Sequence, residues 1–179
     1  LVVLLLASPG SAQQLVRVGY SGTGVAKNLH KTIERAGLWK KRGLDPEKET
    51  AKVLKDSSFK GLIITSERKE FLAGADLEMI TKIKSEKESL ELTGRLHGIF
   101  RQLETWGKPV VAAINGTALG GGFEVCLACH YRISLDDSRI QLGLPEVKLG
   151  LLPGGGGTQR LARLIGIQPS LPFLLEGRT

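Results

Sequence analysis

Residues 115–124 read NGTALGGGFE, and their three consecutive glycines lead into an apolar run that carries Glu124. Glycines allow a ligand to approach the backbone closely, and a helix that starts here leaves its first N–H groups without intrahelical acceptors. These N–H groups carry partial positive charge. Glu124 stands within FEVCLAC, where burying a carboxylate is costly. The stretch therefore predicts a strand-to-helix turn that faces an anion, with a carboxylate close behind it.

Two further segments share this chemistry. Residues 73–77 (AGADL) are a second glycine turn that leads into a helix, and residues 144–160 (LPEVKLGLLPGGGGTQR) place Glu146 in an apolar loop. Two converging N–H donors make an oxyanion hole, and carboxylates in apolar settings are candidates for acid–base work. Glycine turns are often only turns, and loop glutamates are often solvated. Composition and spacing therefore predict an anion-stabilising α/β site and reach no further.

Around these segments, short apolar strands alternate with helices, which indicates an α/β core. Residues 90–106 have the clearest helical pattern, with a single apolar side. Strands are predicted at residues 15–20, 59–65, 109–114 and 131–134, and further helices at residues 47–58, 77–83 and 158–165 and in a short piece ending at 129.

The three segments, in this order and at this separation, resemble the crotonase (enoyl-CoA hydratase/isomerase) superfamily. Within it, the stretch LACHYRISLDDSRIQLGLPEVKLGLLPGGGGTQRLARLIGI is similar to the hydratase domain of the multifunctional α-subunits of fatty-acid β-oxidation. The resemblance runs from about residue 56 to residue 179. It implies an α/β fold of the crotonase type, a spiral of ββα units.

The resemblance also implies which groups react. The family's oxyanion donors fall on the backbone N–H groups of Ala75 and Gly121, and its catalytic glutamates fall on Glu124 and Glu146. It implies syn addition of water to a trans-2-enoyl-CoA thioester. Both glutamates would hold and activate the water, and Glu146 would deliver the proton to the α-carbon.

Ala73, Leu77 and Gly120 are expected to bind the substrate, because they flank the implied oxyanion hole. The acyl-CoA thioester is substrate, so no cofactor is expected, and no convergent ligand set predicts a metal. Members of the family usually form homo-oligomers or a complex with a thiolase subunit. The resemblance implies a cytoplasmic enzyme. The charge pattern and the lengths of the apolar runs give no reason to expect a nucleic-acid or membrane partner.

The N-terminal part of the chain differs in character. Residues 1–60 hold 11 Lys+Arg against 5 Asp+Glu, which is +6 of the formal net charge of +7. No aromatic side chains interleave with this basic region, so it does not favour nucleic-acid binding. Residues 1–13 are similar to a secretion signal, too short to span a membrane, and residues 15–45 resemble the start of a periplasmic solute-binding protein.

We therefore predict a leader at residues 1–45 and a partial crotonase domain at residues 46–179, incomplete at both ends. Without the family's first strand pair, a neighbouring strand edge would be exposed. Two alternatives to a hydratase stay open: an enoyl-CoA isomerase, and a non-enzymatic chimeric or secreted binding-protein remnant. The signal-like segment conflicts with a cytoplasmic location.

Two other motifs predict little. Cys126, Cys129 and His130 match the C-x-x-C-H pattern of covalent haem, but they follow Glu124 in an apolar helix, so buried reduced thiols are expected. The glycine run at residues 154–157 is similar to a phosphate-binding loop, yet no Gly-Lys-Ser/Thr follows it. His97 is expected to be structural or solvated.

Overall fold

The computed structural model describes residues 2–7, 15–16, 54–57, 59–66, 69–74, 81 and 83–179. Its strands are β1 (Val2–Ala7), β2 (Leu15–Val16), β3 (Phe59–Thr65), β4 (Leu72–Ala73), β5 (Val110–Ile114), β6 (Ala118–Leu119), β7 (Tyr131–Ser134) and β8 (Leu142–Gly143). Its helices are α1 (Glu86–Thr105), α2 (Gly121–Leu127), α3 (Gly157–Ile165) and α4 (Ile167–Leu175), with a 3-10 turn at Pro145–Leu149. The α/β prediction is confirmed.

The larger sheet has the strand order β2-β1-β3-β5-β7. Strands β3, β5 and β7 are parallel, which requires the helical crossovers α1 and α2 between them. Buried side chains of β3, β5, α1 and α2 form the core between sheet and helices.

The N-terminal apolar segment contributes a strand to the larger sheet. Residues 2–7, which are similar to a signal, form β1, and β1 pairs antiparallel with β3. One edge of β3 is therefore covered by β1. A short run of valines and leucines suits a buried strand as well as a signal segment, and hydropathy alone does not separate the two. Of the strand predicted at residues 15–20, Leu15–Val16 is a strand and the rest lies outside the described residues, as does most of the helix predicted at residues 47–58.

Helix α1 begins four residues before the predicted start. Ser85 is its N-cap, and its hydroxyl accepts a hydrogen bond from the Glu88 N–H at 3.2 Å. The Glu88 carboxylate in turn accepts the Lys84 N–H at 2.9 Å. The first bond satisfies an N–H group that the helix leaves unpaired, and the second ties the residue before the cap to the first turn.

The smaller sheet has the order β4-β6-β8, and all its strands are parallel and two residues long. Helix α2 lies directly against β4: a Cβ on Gly122 would stand 2.0 Å from the Leu72 carbonyl oxygen. Only a glycine permits this approach, so the triple glycine is needed for packing as well as for the turn. No helix among the described residues is long and apolar enough to cross a membrane.

Candidate active site

The three strands of the smaller sheet end side by side. Ala73 is in register with Leu119, which is in register with Gly143. The Gly120 N–H extends the ladder by donating to the Gly143 carbonyl at 2.9 Å. The segments that follow these strands therefore start at one edge, the carboxyl edge, where open parallel sheets commonly place ligands.

Gly120 is the point at which the three predicted segments meet. Its φ of 54° and ψ of −131° form a conformation that L side chains rarely adopt. A Cβ at this position would lie 2.9 Å from Glu146 Oε1 and 3.6 Å from Gly74 Cα. The structure thus brings Gly120 next to the carboxylate of one segment and the glycine turn of another.

The predicted site residues have different outcomes. Gly121 begins α2 directly after Gly120, and Ala73 is exposed at the end of β4. Ala75 and Leu77 lie outside the described residues, so one predicted oxyanion donor and one predicted channel residue stay predictions. The roles of the others also stay predictions, although their positions agree with a common site.

Glu124 occupies the first turn of α2 and is only 2% exposed. Its Oε1 accepts the Gly157 N–H at 2.8 Å. Burial raises the pKa of Glu124, because a carboxylate loses solvation there. The N–H groups of Gly157 and Gly155, followed by the charge of Arg160, oppose that rise by favouring the carboxylate.

Residues 154–157, hereafter the glycine loop, surround the carboxylate of Glu124. A Cβ on Gly155 would stand 2.6 Å from Glu124 Oε2, and a Cβ on Gly157 would stand 2.9 Å from Leu144 Cδ1 and 3.0 Å from Glu124 Oε1. The loop is thus free of side chains at the positions where Glu124 enters. Its similarity to a phosphate-binding loop reflects the same physics, because backbone N–H groups face an anion in both cases.

Glu146 lies in the first turn of the 3-10 segment and is half-buried. Its Oε2 is buried and has no hydrogen-bond partner within the part of the chain that the structure describes. Burial and the nearby charge of Glu124 raise the pKa of Glu146 to about 7, against the effect of its own backbone N–H. Two carboxylates from different elements therefore lie close enough for the charge of Glu124 to act on Glu146, and both are withdrawn from solvent.

Sequence reasoning missed the residues that hold the glycine loop from behind. His97 Nε2 lies 2.7 Å from the Gly154 carbonyl oxygen, and Arg160 Nη1 donates to the Gly155 carbonyl at 2.5 Å. Arg160 itself is paired with Glu104 of α1. Arg160 lay in the quoted glycine segment, but no sequence signal links it to Glu104, which is 56 residues away in the chain.

The C-x-x-C-H pattern has a structural explanation. Both cysteines are free and buried in or next to α2, as expected. Burial raises the pKa of the Cys129 thiol to about 12, so the thiol stays protonated. His130 Nδ1 accepts the Val110 N–H at 3.0 Å, and its Nε2 lies 3.0 Å from the Glu104 carbonyl. Both ring nitrogens are engaged in joining β5 to α1.

An α/β fold with two poorly solvated carboxylates near the carboxyl edge of parallel strands defines a class of acid–base site. The family model described as enoyl-CoA hydratase/isomerase matches residues 48–179. The chain belongs to this family, as the resemblance implied, and the crotonase-type fold is confirmed.

Individual relatives agree with this assignment. A "Fatty acid oxidation complex subunit alpha" of Shewanella frigidimarina is 52% identical over 124 residues, covering 69% of this chain and 18% of the relative. The crystal structure of an enoyl-CoA hydratase from Bacillus anthracis matches with a TM-score of 0.67 at 36% identity, covering 74% of this chain and 52% of that one. An enoyl-CoA hydratase from Thermoplasma volcanium gives a TM-score of 0.67 at 27% identity, over 73% of this chain and 51% of that one. The chain therefore spans under a fifth of the first relative and about half of the solved structures.

Proposed function

We propose that this site adds water to a trans-2-enoyl thioester of coenzyme A. The observation that carries the proposal is the pairing of Glu124 with Glu146 in unlike environments beside Gly120. Two backbone N–H groups face Glu124 and favour its carboxylate form, which suits a base that takes a proton from water. Glu146, with its pKa raised to about 7, is partly protonated near neutral pH, which suits an acid.

The proposed reaction is balanced without a further reagent. The water oxygen forms a bond to the β-carbon while Glu124 accepts a water proton. The electron pair of the carbon–carbon double bond moves toward the thioester oxygen, and Glu146 donates a proton to the α-carbon. The two glutamates then exchange one proton through solvent or the next water. The substrate undergoes no net oxidation or reduction, because the β-carbon gains a bond to oxygen while the α-carbon gains a bond to hydrogen, so the reaction needs no redox cofactor.

The thioester oxygen gains negative charge during this step, and the proposal assigns its stabilisation to the N–H groups of Ala75 and Gly121. Each such donor is worth about 3–4 kcal/mol in the transition state. The position of Gly121, at the start of α2 after Gly120, supports this assignment, because helix-start N–H groups have no intrahelical acceptor. Ala73, Leu77 and Gly120 are proposed to contact the substrate around this oxygen.

The pathway and the binding partners of this chain are also proposed from its relatives. The relative from Shewanella is named as the alpha subunit of a fatty acid oxidation complex. By analogy, we propose that this chain acts on fatty acyl-CoA thioesters within fatty-acid oxidation. We also propose that it associates with a thiolase subunit or with further copies of itself, as members of the family usually do.

The alternatives receive less support. An isomerase has to move one proton between two carbons, for which a single carboxylate suffices, whereas the structure holds a second carboxylate in the same place. A non-enzymatic binding-protein remnant is not favoured, because the family match extends from residue 48 to residue 179.

The test is hydration of crotonyl-CoA, followed as loss of the conjugated enoyl-thioester absorbance. Glu124→Gln and Glu146→Gln should each abolish the reaction, because each removes a proton acceptor or donor. Glu91→Gln, which neutralises an exposed glutamate of α1, is the matched control and should leave the rate unchanged. A folded native chain that does not consume crotonyl-CoA would overturn the proposal.

A further inference from the structure

The glycine loop is held on the side that faces away from Glu124. His97 of α1 donates through Nε2 to the Gly154 carbonyl at 2.7 Å. Arg160 of α3 holds the next two carbonyls: its Nη1 donates to Gly155 at 2.5 Å, and its backbone N–H donates to Gly156 at 3.1 Å. Three successive peptide groups of the loop therefore have their oxygens fixed from outside the site.

Fixing these oxygens also fixes the N–H groups on the opposite side. In a planar trans peptide, the carbonyl of one residue and the N–H of the next point in opposite directions. A Gly154 carbonyl turned toward His97 therefore turns the Gly155 N–H toward Glu124. The Gly156 carbonyl accepts the backbone N–H of Arg160, which turns the Gly157 N–H toward Glu124, where it donates at 2.8 Å. The Arg160 side chain holds the Gly155 carbonyl, in the peptide group that lies between these two donors.

We propose that His97 and Arg160 are positioning residues that orient Glu124 through the peptide groups of the glycine loop, without touching its carboxylate. This inference rests on the proposed function, in which Glu124 is the base. It assigns His97 a task that its place on the surface of α1 does not suggest. The task is to hold one peptide group in the orientation that solvates a buried anion.

The Arg160 side chain is itself fixed. Its Nε and Nη2 donate to the two carboxylate oxygens of Glu104 at 2.6 and 3.2 Å, and its guanidinium lies 5.4 Å from the centre of the Phe100 ring. A two-pronged pair of this kind sets direction as well as distance. Helix α1 therefore controls the loop at two points about two turns apart, directly through His97 and indirectly through Glu104.

The effect on the charge state of Glu124 has a definite sign. The charged or titratable groups that face Glu124 from the packed elements are Arg160 of α3, His97 of α1 and Glu146 of the 3-10 turn. Removing the Arg160 side chain takes away a positive charge and releases the Gly155 carbonyl between the two N–H donors, so the pKa of Glu124 should rise further. The acidic limb of a pH–rate profile should then move to higher pH.

The principal experiment compares His97→Leu with His97→Gln in the full chain. Leucine removes the donor, whereas a glutamine amide still reaches toward the Gly154 carbonyl. Groups that orient metal-binding residues typically contribute about 10- to 100-fold, and we expect an effect at the low end of that range for a group that orients a base. We expect His97→Leu to lower kcat for crotonyl-CoA by about 10-fold with little change in KM, and His97→Gln to recover most of that loss.

Arg160→Met is the second variant, and Arg163→Met is its control, because Arg163 is exposed on the same helix and carries the same charge. Arg160→Met should shift the acidic limb to higher pH, and Arg163→Met should not. If Arg160→Met does not fold, the comparison of His97→Leu with His97→Gln alone decides the inference. His97 is exposed, so these two variants are expected to fold.

A second measurement does not depend on turnover. The carboxyl carbon of Glu124 can be titrated by NMR in ¹³C-glutamate-labelled protein and assigned by its loss in Glu124→Gln. A higher Glu124 pKa in His97→Leu than in the native chain or His97→Gln supports the inference. An unchanged Glu124 titration, or equal losses in the leucine and glutamine variants, would overturn it. An inactive native chain refutes the proposed function, and the titration still decides the positioning role.

Discussion

Glu146 makes the stability of the protein depend on pH in an unusual direction. Its folded-state pKa is raised from 4.5 to about 7, mainly because burial disfavours the carboxylate. The folded chain therefore binds this proton more tightly than the unfolded chain does. The resulting stabilisation is complete below pH 4.5 and is lost as the pH rises through about 7.

The size of the effect follows from the shift. Each pKa unit corresponds to about 1.4 kcal/mol, so the full shift would be worth about 3 kcal/mol. Glu146 is only half-buried, and solvent screens part of its interactions. We therefore expect about 1–2 kcal/mol. In Glu146→Gln, which does not ionise, the free energy of unfolding relative to the native chain should rise by that amount between pH 5 and pH 8.

Urea denaturation of both chains at half-unit pH steps measures this difference directly. Glu91→Gln is again the control, and its difference from the native chain should not follow the same curve. A Glu146→Gln curve that stays parallel to the native one from pH 5 to pH 8 would refute the reasoning. It would mean that the Glu146 carboxyl is solvated in the folded protein and is not part of a poorly solvated pair.

The remaining predictions concern packing and reactivity. Gly122→Ala should lower the free energy of unfolding by about 1–3 kcal/mol or more in urea denaturation, because its Cβ would stand 2.0 Å from a strand carbonyl. Gly157→Ala should abolish crotonyl-CoA hydration, because its Cβ would stand 3.0 Å from Glu124 Oε1. Gly154→Ala should keep that activity, since its Cβ would meet only a carbonyl oxygen at 4.0 Å. A thiol reagent should modify Cys129 only after unfolding, because burial raises the pKa of this thiol to about 12. If the folded chain reacts as fast as an exposed cysteine does, Cys129 is not buried.

The sequence predicted the strands with a clear residue preference well. Strands β3 and β7 have the predicted bounds, because each is a short run rich in β-branched or aromatic residues. Strands β4, β6 and β8 were not predicted, since two residues carry no periodicity. Helix α4 was not predicted either, because Pro169 and Pro172 argue against a helix there.

The residues of the site were also predicted only in part. The residues alone predicted an anion-stabilising turn and two candidate carboxylates, and only the resemblance assigned roles to Glu124 and Glu146. Neither predicted that the glycine loop receives Glu124, because the two lie 33 residues apart. His97 was expected to be structural or solvated, since contact with a backbone carbonyl leaves no mark on sequence pattern.

The groups that bind the Glu124 carboxylate are backbone amides, which every residue except proline possesses. Mutation of the glycine loop therefore cannot easily remove them. Replacing a side chain in the glycine loop adds bulk but never deletes an N–H, unless proline is introduced. A conventional alanine scan would therefore report the loop only as a steric constraint. Amide-to-ester replacement at residue 155 or 157, made by chemical ligation, would delete one donor and keep the shape. For the same reason, a comparison of natural sequences would not reveal these donors.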